Sequence, residues 1–477
     1  MKVLLIQPPY TILKTESRFC QPPLGLAYLA SVLDKEHDVL ILDCIAEGFN
    51  NISVQNKDFK RYGLSEDKIK RRIQKINPDV VGVSNLFTAQ AEEAHRICKI
   101  AKEVNSSIVT IMGGAHPSAM PELTLRDSDV DFIVIGEGEN TLKNLLETFG
   151  KNNTVNEISG LAYRKDGRVI INKKNEFIDN LDTLPFPIWK KFPLKKYFTI
   201  NTPHGANVKR SPFLPVITSR GCPNHCTFCS IHNIWGRKFR KRSAENVLSE
   251  LEYIVSEFGV KEILFEDDNL TLDKERAKAI FKGIIDRDFD FTWSTPNGLS
   301  LMTLDDELLE LMKKSGCHSI SLAIESGDNR VLKEIIKKPI NLERVETVLK
   351  KAKQLGLEIS VFFVVGMPGE KKEDLERTFR MARNLPVDHI NFFFATPLPG
   401  TELFDICVKE HLIDESLDFR KFKSNLPVFS TKEINISELN SLVRRQKIIF
   451  HTKRALMHPI EYSGKITKRL IERVMYI

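Results

Sequence analysis

The sequence predicts an α/β protein in three parts: an N-terminal doubly wound, Rossmann-like domain, a partial (β/α)6 TIM-like barrel and a small helical C-terminal region. Short β-branched runs alternate with amphipathic stretches through the first 155 residues, and a second alternation begins near residue 206. Strand signals stop near residue 411. Because 477 residues are too many for one hydrophobic core, two or more domains are expected.

The first domain is expected over residues 1–155. Its strands are predicted by the segments KVLLIQ, DVLILDC, DVVGVSN, SIVTIMGG and DFIVIGEG. Amphipathic segments such as AQAEEAHRICKIAKEV lie between them, and strands joined by helices form a parallel sheet. Residues 156–205 lose this rhythm: LAYRKDGRVII predicts a hairpin that turns at Asp166 and Gly167, and LDTLPFPIWKKFP predicts a linker.

The barrel is expected over residues 206–410. Its six strands are predicted by the segments FLPVITSRGC, EILFEDDN, FTWSTPN, SISLAIESG, EISVFFVVGMPG and HINFFFATPLPG. In such a barrel the loops after the strands carry the chemistry, so residues at strand ends are candidates for a functional site. Over residues 411–477, apolar residues recur at helical spacing and predict helices.

Composition places the chain among globular proteins of a reducing compartment. It is 42% hydrophobic and 28% charged, and it contains no apolar run of the roughly 18 residues that cross a bilayer. The start MKVLLIQPPY predicts a first strand rather than a signal peptide. Eight cysteines are too sparse for a disulfide scaffold of this length, so we expect reduced thiols and a cytoplasmic protein.

Three cysteines follow the first barrel strand with the spacing C-x3-C-x2-C: Cys222, Cys226 and Cys229. A structural zinc site would need a fourth ligand, which His225 or His232 could supply, but such sites usually join two ligand pairs from distant segments. Three thiolates instead leave one iron of a 4Fe-4S cluster without a protein ligand. The spacing therefore favours a cluster with an open iron.

This motif, with an aromatic residue just before its last cysteine, resembles the radical S-adenosylmethionine (radical SAM) superfamily. The resemblance implies that SAM binds the open iron and is cleaved to methionine and a 5′-deoxyadenosyl radical. LAIESG and VVGMPGE resemble the family's motifs on the fourth and fifth strands, whereas FEDDNL replaces the usual Gly-Gly-Glu. The residues that the resemblance places at SAM are Phe228, Asp267, Asp268, Ser294, Glu325, Ser326, Gly366 and Pro368.

Small residues also follow the third and fourth strands of the first domain, in VSNLFT and IMGGAHPS. Glycine there lets the backbone approach a large flat ligand. The Ser-x-Leu and Gly-Gly pairs resemble those of cobalamin-binding domains, where they line the slot for the nucleotide tail. The residues that the resemblance places at cobalamin are Gln7, Pro8, Tyr10, Ser84, Asn85, Leu86, Gly113, Gly114, His116, Gly136 and Glu137.

The loop after the first strand departs from the cobalamin pattern. It contains no histidine, although these domains often carry Asp-x-His-x-x-Gly there, so a bound cobalamin would lack that ligand and lie near Gln7, Tyr10 or Cys20. A nicotinamide or flavin domain is the alternative, but Gly-x-Gly-x-x-Gly is missing after the first strand. A doubly wound domain that binds nothing also remains open.

The combined resemblance covers most of residues 1–405 and implies a cobalamin-dependent radical SAM enzyme, with a 4Fe-4S cluster, SAM and cobalamin as cofactors. Many members are methyltransferases, in which the 5′-deoxyadenosyl radical activates an unactivated carbon and methylcobalamin donates the methyl group. No catalytic residue beyond the cofactors is then required. Three alternatives stay open: a non-methylating cyclase or oxidoreductase similar to anaerobic magnesium-protoporphyrin ester cyclase, a tRNA methylthiotransferase, and a non-catalytic iron-sulfur or cobalamin sensor.

The methylthiotransferase alternative requires a second cluster, for which the first domain offers Cys20, Cys44 and Cys98. Cys98 lies in the middle of a predicted helix, on the side marked by Ala94 and Ile97. This position predicts a buried structural thiol instead.

The net charge of the chain, +7, is concentrated near its end: residues 441–477 contain nine Lys or Arg and two Glu. These residues form either a solvated helical face or a contact with an anionic membrane surface or lipid substrate. Nucleic acid is disfavoured, because no recognition module accompanies the charge. We expect a small-molecule or lipid substrate, an external one-electron donor of the flavodoxin or ferredoxin type, and a cytoplasmic protein that is peripheral at the membrane if its tail binds lipid.

Overall fold

The computed structural model describes residues 1–149, 154–205, 208–414 and 418–457. The strands of the first part are β1 (Lys2–Gln7), β2 (Tyr10–Leu13), β3 (Asp38–Asp43), β4 (Ile52–Val54), β5 (Phe59–Tyr62), β6 (Val80–Ser84), β7 (Val109–Gly113), β8 (Phe132–Val134), β9 (Leu161–Lys165) and β10 (Arg168–Ile171). Those of the second part are β11 (Phe213–Val216), β12 (Ser219–Arg220), β13 (Arg240–Lys241), β14 (Glu262–Phe265), β15 (Thr292–Leu299), β16 (Cys317–Glu325), β17 (Glu358–Val365) and β18 (His389–Phe394).

Sixteen α-helices are described. They are α1 (Leu24–Leu33), α2 (Cys44–Gly48), α3 (Glu66–Ile76), α4 (Ala91–Val104), α5 (Ala115–Ala119), α6 (Pro121–Thr124), α7 (Glu139–Thr148), α8 (Leu194–Ile200), α9 (His232–Trp235), α10 (Ala244–Phe258), α11 (Lys274–Asp286), α12 (Asp306–Lys314), α13 (Glu343–Gln354), α14 (Lys372–Asn384), α15 (Glu402–Lys409) and α16 (Ile436–Met457).

The first sheet has seven strands in the order β10-β9-β8-β7-β6-β1-β3. Its five parallel strands are those that the sequence predicts. Side chains of β1 alternate between two cores: Leu4 and Ile6 pack with α3 and α4, whereas Val3 and Leu5 pack with α1 and α7. The doubly wound prediction is thereby confirmed.

The predicted hairpin forms, with β9 and β10 paired antiparallel about the turn at Asp166 and Gly167, and it is part of the first sheet. Strand β9 pairs antiparallel with β8, with Phe132 opposite Tyr163, and so extends the first sheet. A separate three-stranded sheet, in the order β2-β5-β4, was not predicted.

The second sheet is all parallel, in the order β11-β14-β15-β16-β17-β18, and confirms the six predicted barrel strands. Helices α10 to α14 follow its strands, as expected for (β/α) units. Their packing fills the outer layer: the rings of Phe281 in α11 and Trp293 in β15 stack with centroids 5.0 Å apart. Because the six barrel strands are parallel, their carboxyl ends all lie at the same edge of the sheet.

Helix α16 packs against the barrel through the buried residues Leu439, Val443 and Phe450, which confirms a helical C-terminal region. The predicted helical residues beyond position 457, including the basic residues Lys465 to Arg473, lie outside the described residues. None of the described helices combines the length and apolar character needed to span a bilayer.

Candidate functional site

The cysteine loop begins where the chain leaves β12. Strand β12 pairs antiparallel with β13, and Gly221 follows with a φ of 84°. A side chain at this position would meet the carbonyl oxygen of Lys238 at 2.3 Å, so only glycine allows the turn into the loop. Cys222, Cys226 and Cys229 lie on this loop and are half-buried.

The donor set of the loop fits a cluster better than a single ion. Within the described ranges, no three His, Cys, Asp or Glu side chains, the three loop cysteines included, are grouped as ligands of one metal ion. Three thiols of one loop suit a 4Fe-4S cluster with one free iron, and the loop continues into Ser230 and Ile231, which line the cavity described below. The three cysteines would hold that cluster.

A lysine that the sequence analysis missed lies beside this loop. The Lys338 ammonium donates hydrogen bonds to Glu325 Oε1 (2.7 Å) and to the Ala323 carbonyl oxygen (2.9 Å). Burial raises the pKa of Cys226 to about 11, and the positive charge of Lys338 acts in the opposite direction. Glu325 itself adopts a φ of 68°, a left-handed conformation that is strained for a residue with a side chain.

The two neighbouring aspartates after β14 have different environments. Asp267 accepts hydrogen bonds from the Thr218 amide and hydroxyl and from the Ser219 hydroxyl, so both its oxygens are occupied. Asp268 faces the cavity, and its buried Oδ2 has no hydrogen-bond partner among the described residues. Burial, together with Asp267 and Glu266, raises the pKa of Asp268 to about 7. Of the two, Asp268 is the one free to accept from a ligand.

The other residues predicted at SAM lie outside the cavity lining. Glu325 ends β16, and Ser326, Gly366 and Pro368 follow β16 or β17. Ser294 is the third residue of β15, and Phe228 lies in the cysteine loop. The Ser294 hydroxyl is buried without a partner among the described residues. The Ser326 hydroxyl bonds to that of Thr378 at 3.0 Å, and the Gly366 amide donates to Glu370 Oε2 at 2.7 Å. Pro368 is half-buried in the loop after β17, and Phe228 packs against an apolar cluster in the barrel.

One cavity of about 710 Å³ lies between the first domain and the barrel. From the first domain it is lined by the predicted residues Gln7, Tyr10, Ser84, Leu86, Gly113, Gly114, Gly136 and Glu137. From the second part it is lined by Arg220, Ser230, Ile231, Ile234, Trp235, Glu266, Asp268, Asn297, Leu398 and Pro399. Of the residues predicted at the cluster and at SAM, Asp268 alone lines this cavity, so the cavity connects most of the predicted cobalamin residues with the edge of the predicted SAM site.

Three residues predicted at cobalamin do not line this cavity. Pro8 is buried, and the side-chain amide of the buried Asn85 points to Met112 Sδ at 3.7 Å. The His116 ring is buried, lies 3.3 Å from the Thr88 hydroxyl and packs edge-on against Phe419. Because burial lowers the pKa of His116 to about 4, its ring is neutral at physiological pH.

Glycines shape the wall of the cavity. At Gly114, whose φ is 122°, a Cβ would lie 2.4 Å from the Asn85 carbonyl oxygen. Gly82, Gly113 and Gly138 bring further backbone without side chains to the same wall. A wide cavity with an exposed backbone wall fits a large ring-bearing cofactor such as cobalamin.

A polar pair inside the cavity was also missed from sequence. Gln21 of the first domain donates from Nε2 to Glu266 Oε1 at 2.8 Å, and burial raises the pKa of Glu266 to about 7. The two residues are 245 positions apart, so only the packing of the two domains brings them together.

Comparison with known proteins supports both halves of this site. A model of the radical SAM superfamily matches residues 216–382, and a model of the B12 binding domain matches residues 10–146. Cytidylyl-2-hydroxyethylphosphonate methyltransferase of Streptomyces wedmorensis is 37% identical over 457 residues, which cover 89% of this chain and 85% of that protein. An uncharacterized methyltransferase of Pyrococcus horikoshii is 34% identical over 481 residues, covering 100% and 98%.

A solved structure shares the fold. The radical S-adenosylmethionine methyltransferase TsrM of Kitasatospora setae, with cobalamin and a [4Fe-4S] cluster bound, matches with a TM-score of 0.68 and 17% identity over 86% of this chain and 78% of that one. The chain is a cobalamin-dependent radical SAM enzyme. More narrowly, it belongs to the methyltransferase family that includes the Streptomyces wedmorensis protein.

These findings resolve several alternatives. The match to the B12 binding domain argues against a nicotinamide or flavin domain and against a first domain that binds nothing. Membership of a methyltransferase family argues against a non-catalytic sensor. Cys20, Cys44 and Cys98 are buried, and in the described part of the chain they form no group able to hold a metal ion. The prediction that Cys98 is a buried thiol is confirmed.

Proposed function

We propose that this chain transfers a methyl group to an unactivated carbon atom of a small-molecule substrate. One observation carries the proposal: a single cavity joins the glycine wall of the first domain to Asp268 and to Ser230 and Ile231, which follow the cysteine loop. A substrate in this cavity lies between the residues assigned to cobalamin and those assigned to SAM. Methyl transfer that uses both cofactors on one carbon needs this alignment.

When bound, the cofactors supply the one-electron cleavage and the methyl donation that amino-acid side chains cannot perform. The residues of the chain bind and orient. The cluster is held by the three cysteines of the loop. Asp268 accepts from the ammonium group of SAM, because its Oδ2 is buried without a donor from the described chain. The Lys338 ammonium, beside Glu325, provides the positive charge for the SAM carboxylate.

Apolar side chains exclude water from the reacting groups. The barrel side of the cavity presents Ile217, Ile231, Ile234, Leu398 and Pro399, and Phe422 closes it from the C-terminal region. Gln21 and Glu266 are among the polar groups of the cavity that a hydroxyl or amine of the substrate could contact. The side chains of the cavity thus position the substrate and exclude water, and they do not act as acid-base catalysts.

A labelled-methyl assay tests the proposal. The anaerobically reconstituted chain would receive SAM with a deuterated methyl group, hydroxocobalamin, a flavodoxin or ferredoxin with its reductase, and cytidylyl-2-hydroxyethylphosphonate as the first candidate substrate. We expect 5′-deoxyadenosine and a product heavier by one deuterated methyl group. The Cys226→Ala variant is the control and should form neither. Formation of 5′-deoxyadenosine without labelled product for any substrate in a broader screen would contradict methyl transfer.

We propose, as a separate point, that the basic residues after α16 contact an anionic membrane surface. Removal of residues from position 441 would also strip Val443 and Phe450 from the barrel, so the suitable truncation ends at Met457. Flotation with vesicles of phosphatidylglycerol and phosphatidylcholine should recover the full chain but not the truncated one. Equal recovery of both chains would remove this proposal.

A further inference from the structure

A buried network of charges joins the two domains beside the cysteine loop. Arg220, at the end of β12, places its guanidinium 3.0 Å from Glu137 Oε1 and 2.6 Å from Glu139 Oε1. Both glutamates belong to the first domain, at the start of α7 and just before it. All three side chains are at most 5% exposed, so water does not screen their charges.

Further contacts surround the Arg220 guanidinium and its partner Glu137. Arg240 of β13 donates to the same Glu137 Oε1 at 2.7 Å, and the Ile178 amide donates to Glu137 Oε2 at 2.9 Å. The ring of Tyr28 in the first domain lies 5.2 Å from the Arg220 guanidinium, and that of Trp235 in the barrel lies 4.6 Å away. Lys174 adds a third positive charge beside the two glutamates, because its ammonium donates to the Glu137 carbonyl oxygen at 2.8 Å.

Contact with Arg220 favours the charged form of Glu139 despite its burial. Burial alone would raise the pKa of Glu139, but the Arg220 guanidinium beside it lowers that pKa below its usual range. Buried ion pairs add little net stability, because desolvation offsets their attraction. Their geometric effect is larger, since the planar guanidinium accepts partners only in fixed directions.

The position of the network relates it to both cofactor sites. Arg220 is two residues before Cys222, and Gly221 between them is held tightly against Lys238. Glu137 and Glu139 closely follow Gly136 in the chain. Gly136, Glu137 and Glu139 all line the cavity assigned to cobalamin, as Arg220 does. A ligand that orders the 136–139 segment therefore also orders the partners of Arg220.

We propose that Arg220 is a positioning residue that couples corrinoid binding in the first domain to the conformation of the cysteine loop. The inference rests on the cofactor set and not on the identity of the substrate. Coupling of this kind is reciprocal: the cluster strengthens corrinoid binding by the same factor by which the corrinoid strengthens cluster binding.

The test is a comparison of two titrations. Hydroxocobalamin is added anaerobically to the full chain with its cluster reconstituted and to the cluster-free chain, and binding is followed by the corrinoid absorption. We expect the wild-type chain to bind about 5- to 150-fold more tightly when it carries the cluster. R220K keeps the positive charge but loses the paired N–H donors of the guanidinium, and E139Q keeps the side-chain shape but loses the negative charge. In both variants the ratio of corrinoid affinities with and without the cluster should fall below about twofold.

Glu93→Gln is the matched control. Glu93 pairs with Arg61 at 3.0 Å in the first domain, and both side chains are at most 9% exposed, but the pair does not reach the barrel. This variant loses a buried ion pair of the same kind, and its ratio should equal that of the wild-type chain.

Two results would overturn the proposal: equal corrinoid affinity with and without the cluster in the wild-type chain, or a ratio that R220K and E139Q leave unchanged. EPR provides a second readout, since the cluster spectrum should respond to hydroxocobalamin in the wild-type chain but not in R220K. Both measurements omit the substrate, so a failure to detect methyl transfer does not affect them.

Discussion

For a single residue, the ability of a side chain to bind a ligand depends on hydrogen-bond partners from distant parts of the chain. Two identical residues that are adjacent in sequence can therefore differ in this ability. Sequence offers Asp267 and Asp268 equally for the ammonium group of SAM. The structure distinguishes them, because Thr218 and Ser219 occupy Asp267 whereas Asp268 Oδ2 stays open. These donors are 49 and 48 residues away in the chain, and no local pattern reveals them.

Asp268→Asn should weaken SAM binding at least about tenfold, because a charge-assisted hydrogen bond becomes a neutral one. Equilibrium dialysis with labelled SAM measures this effect, while the cluster absorption should not change. Asp306→Asn, the same replacement at an exposed position of α12, should bind SAM normally. Unchanged affinity in Asp268→Asn would remove this residue from the SAM site.

Cys226→Ala should abolish the cluster absorption, because two thiolates cannot hold a 4Fe-4S cluster stably. Hydroxocobalamin should still bind, and its affinity should fall only by the factor that couples corrinoid binding to the cluster. Cys98→Ala, at a buried thiol of α4, should keep the full iron content. A loss of iron in Cys98→Ala would instead indicate a second cluster in the first domain.

Glu370 makes stability depend on pH. Its Oε2 accepts from the Gly366 and Met367 amides, its Oε1 is buried without a partner among the described residues, and burial raises its pKa to about 8. Between about pH 5 and 8 the folded chain keeps a proton that the unfolded chain releases, so stability falls as pH rises, by up to about 1.4 kcal/mol per pH unit.

Glu370→Gln cannot release this proton. Its melting temperature should therefore fall less than that of the wild-type chain between pH 5.5 and 7.5, as measured by circular dichroism. Glu373→Gln, at an exposed position of α14, should follow the wild-type profile. Parallel profiles for Glu370→Gln and the wild-type chain would show that Glu370 is ionised in the folded state.

At the scale of the element, alternation and turn residues were enough to predict the parallel strands of both sheets and the hairpin. They were not enough to place the hairpin, because its pairing with β8 depends on an edge that only the folded sheet presents. Strand β5 was missed because its residues, FKRY, combine two cations with two buried aromatic rings. Its burial comes from neighbours that sequence does not show.

The turn from β7 into α5 depends on Gly114. Gly114→Ala should destabilise the cofactor-free chain by about 1–3 kcal/mol, because alanine is strained at a φ of 122° and its Cβ would meet Asn85. Gly113→Ala is the control, since its Cβ would find its nearest atom at 3.7 Å. Thermal unfolding measures the difference, and equal melting temperatures for the two variants would refute this account of the turn.

Across the whole molecule, each cofactor could be predicted separately, because short motifs at strand ends, such as C-x3-C-x2-C and the Gly113-Gly114 pair, carry the resemblance. The cavity between the two domains could not be predicted, since it depends on contacts such as that of Arg220 with Glu137, which are 83 residues apart. The Rossmann-like domain and the barrel therefore follow from local patterns, whereas their mutual arrangement follows from a few buried polar contacts.

We infer that one chain holds a cluster with an open iron and a corrinoid together. EPR and ultraviolet-visible spectra of the anaerobically reconstituted chain with hydroxocobalamin measure both cofactors at once. We expect a 4Fe-4S signal that changes when SAM is added and the absorption of a bound corrinoid. A tetrahedral zinc in place of the cluster, or a cluster signal that SAM leaves unchanged, would contradict it.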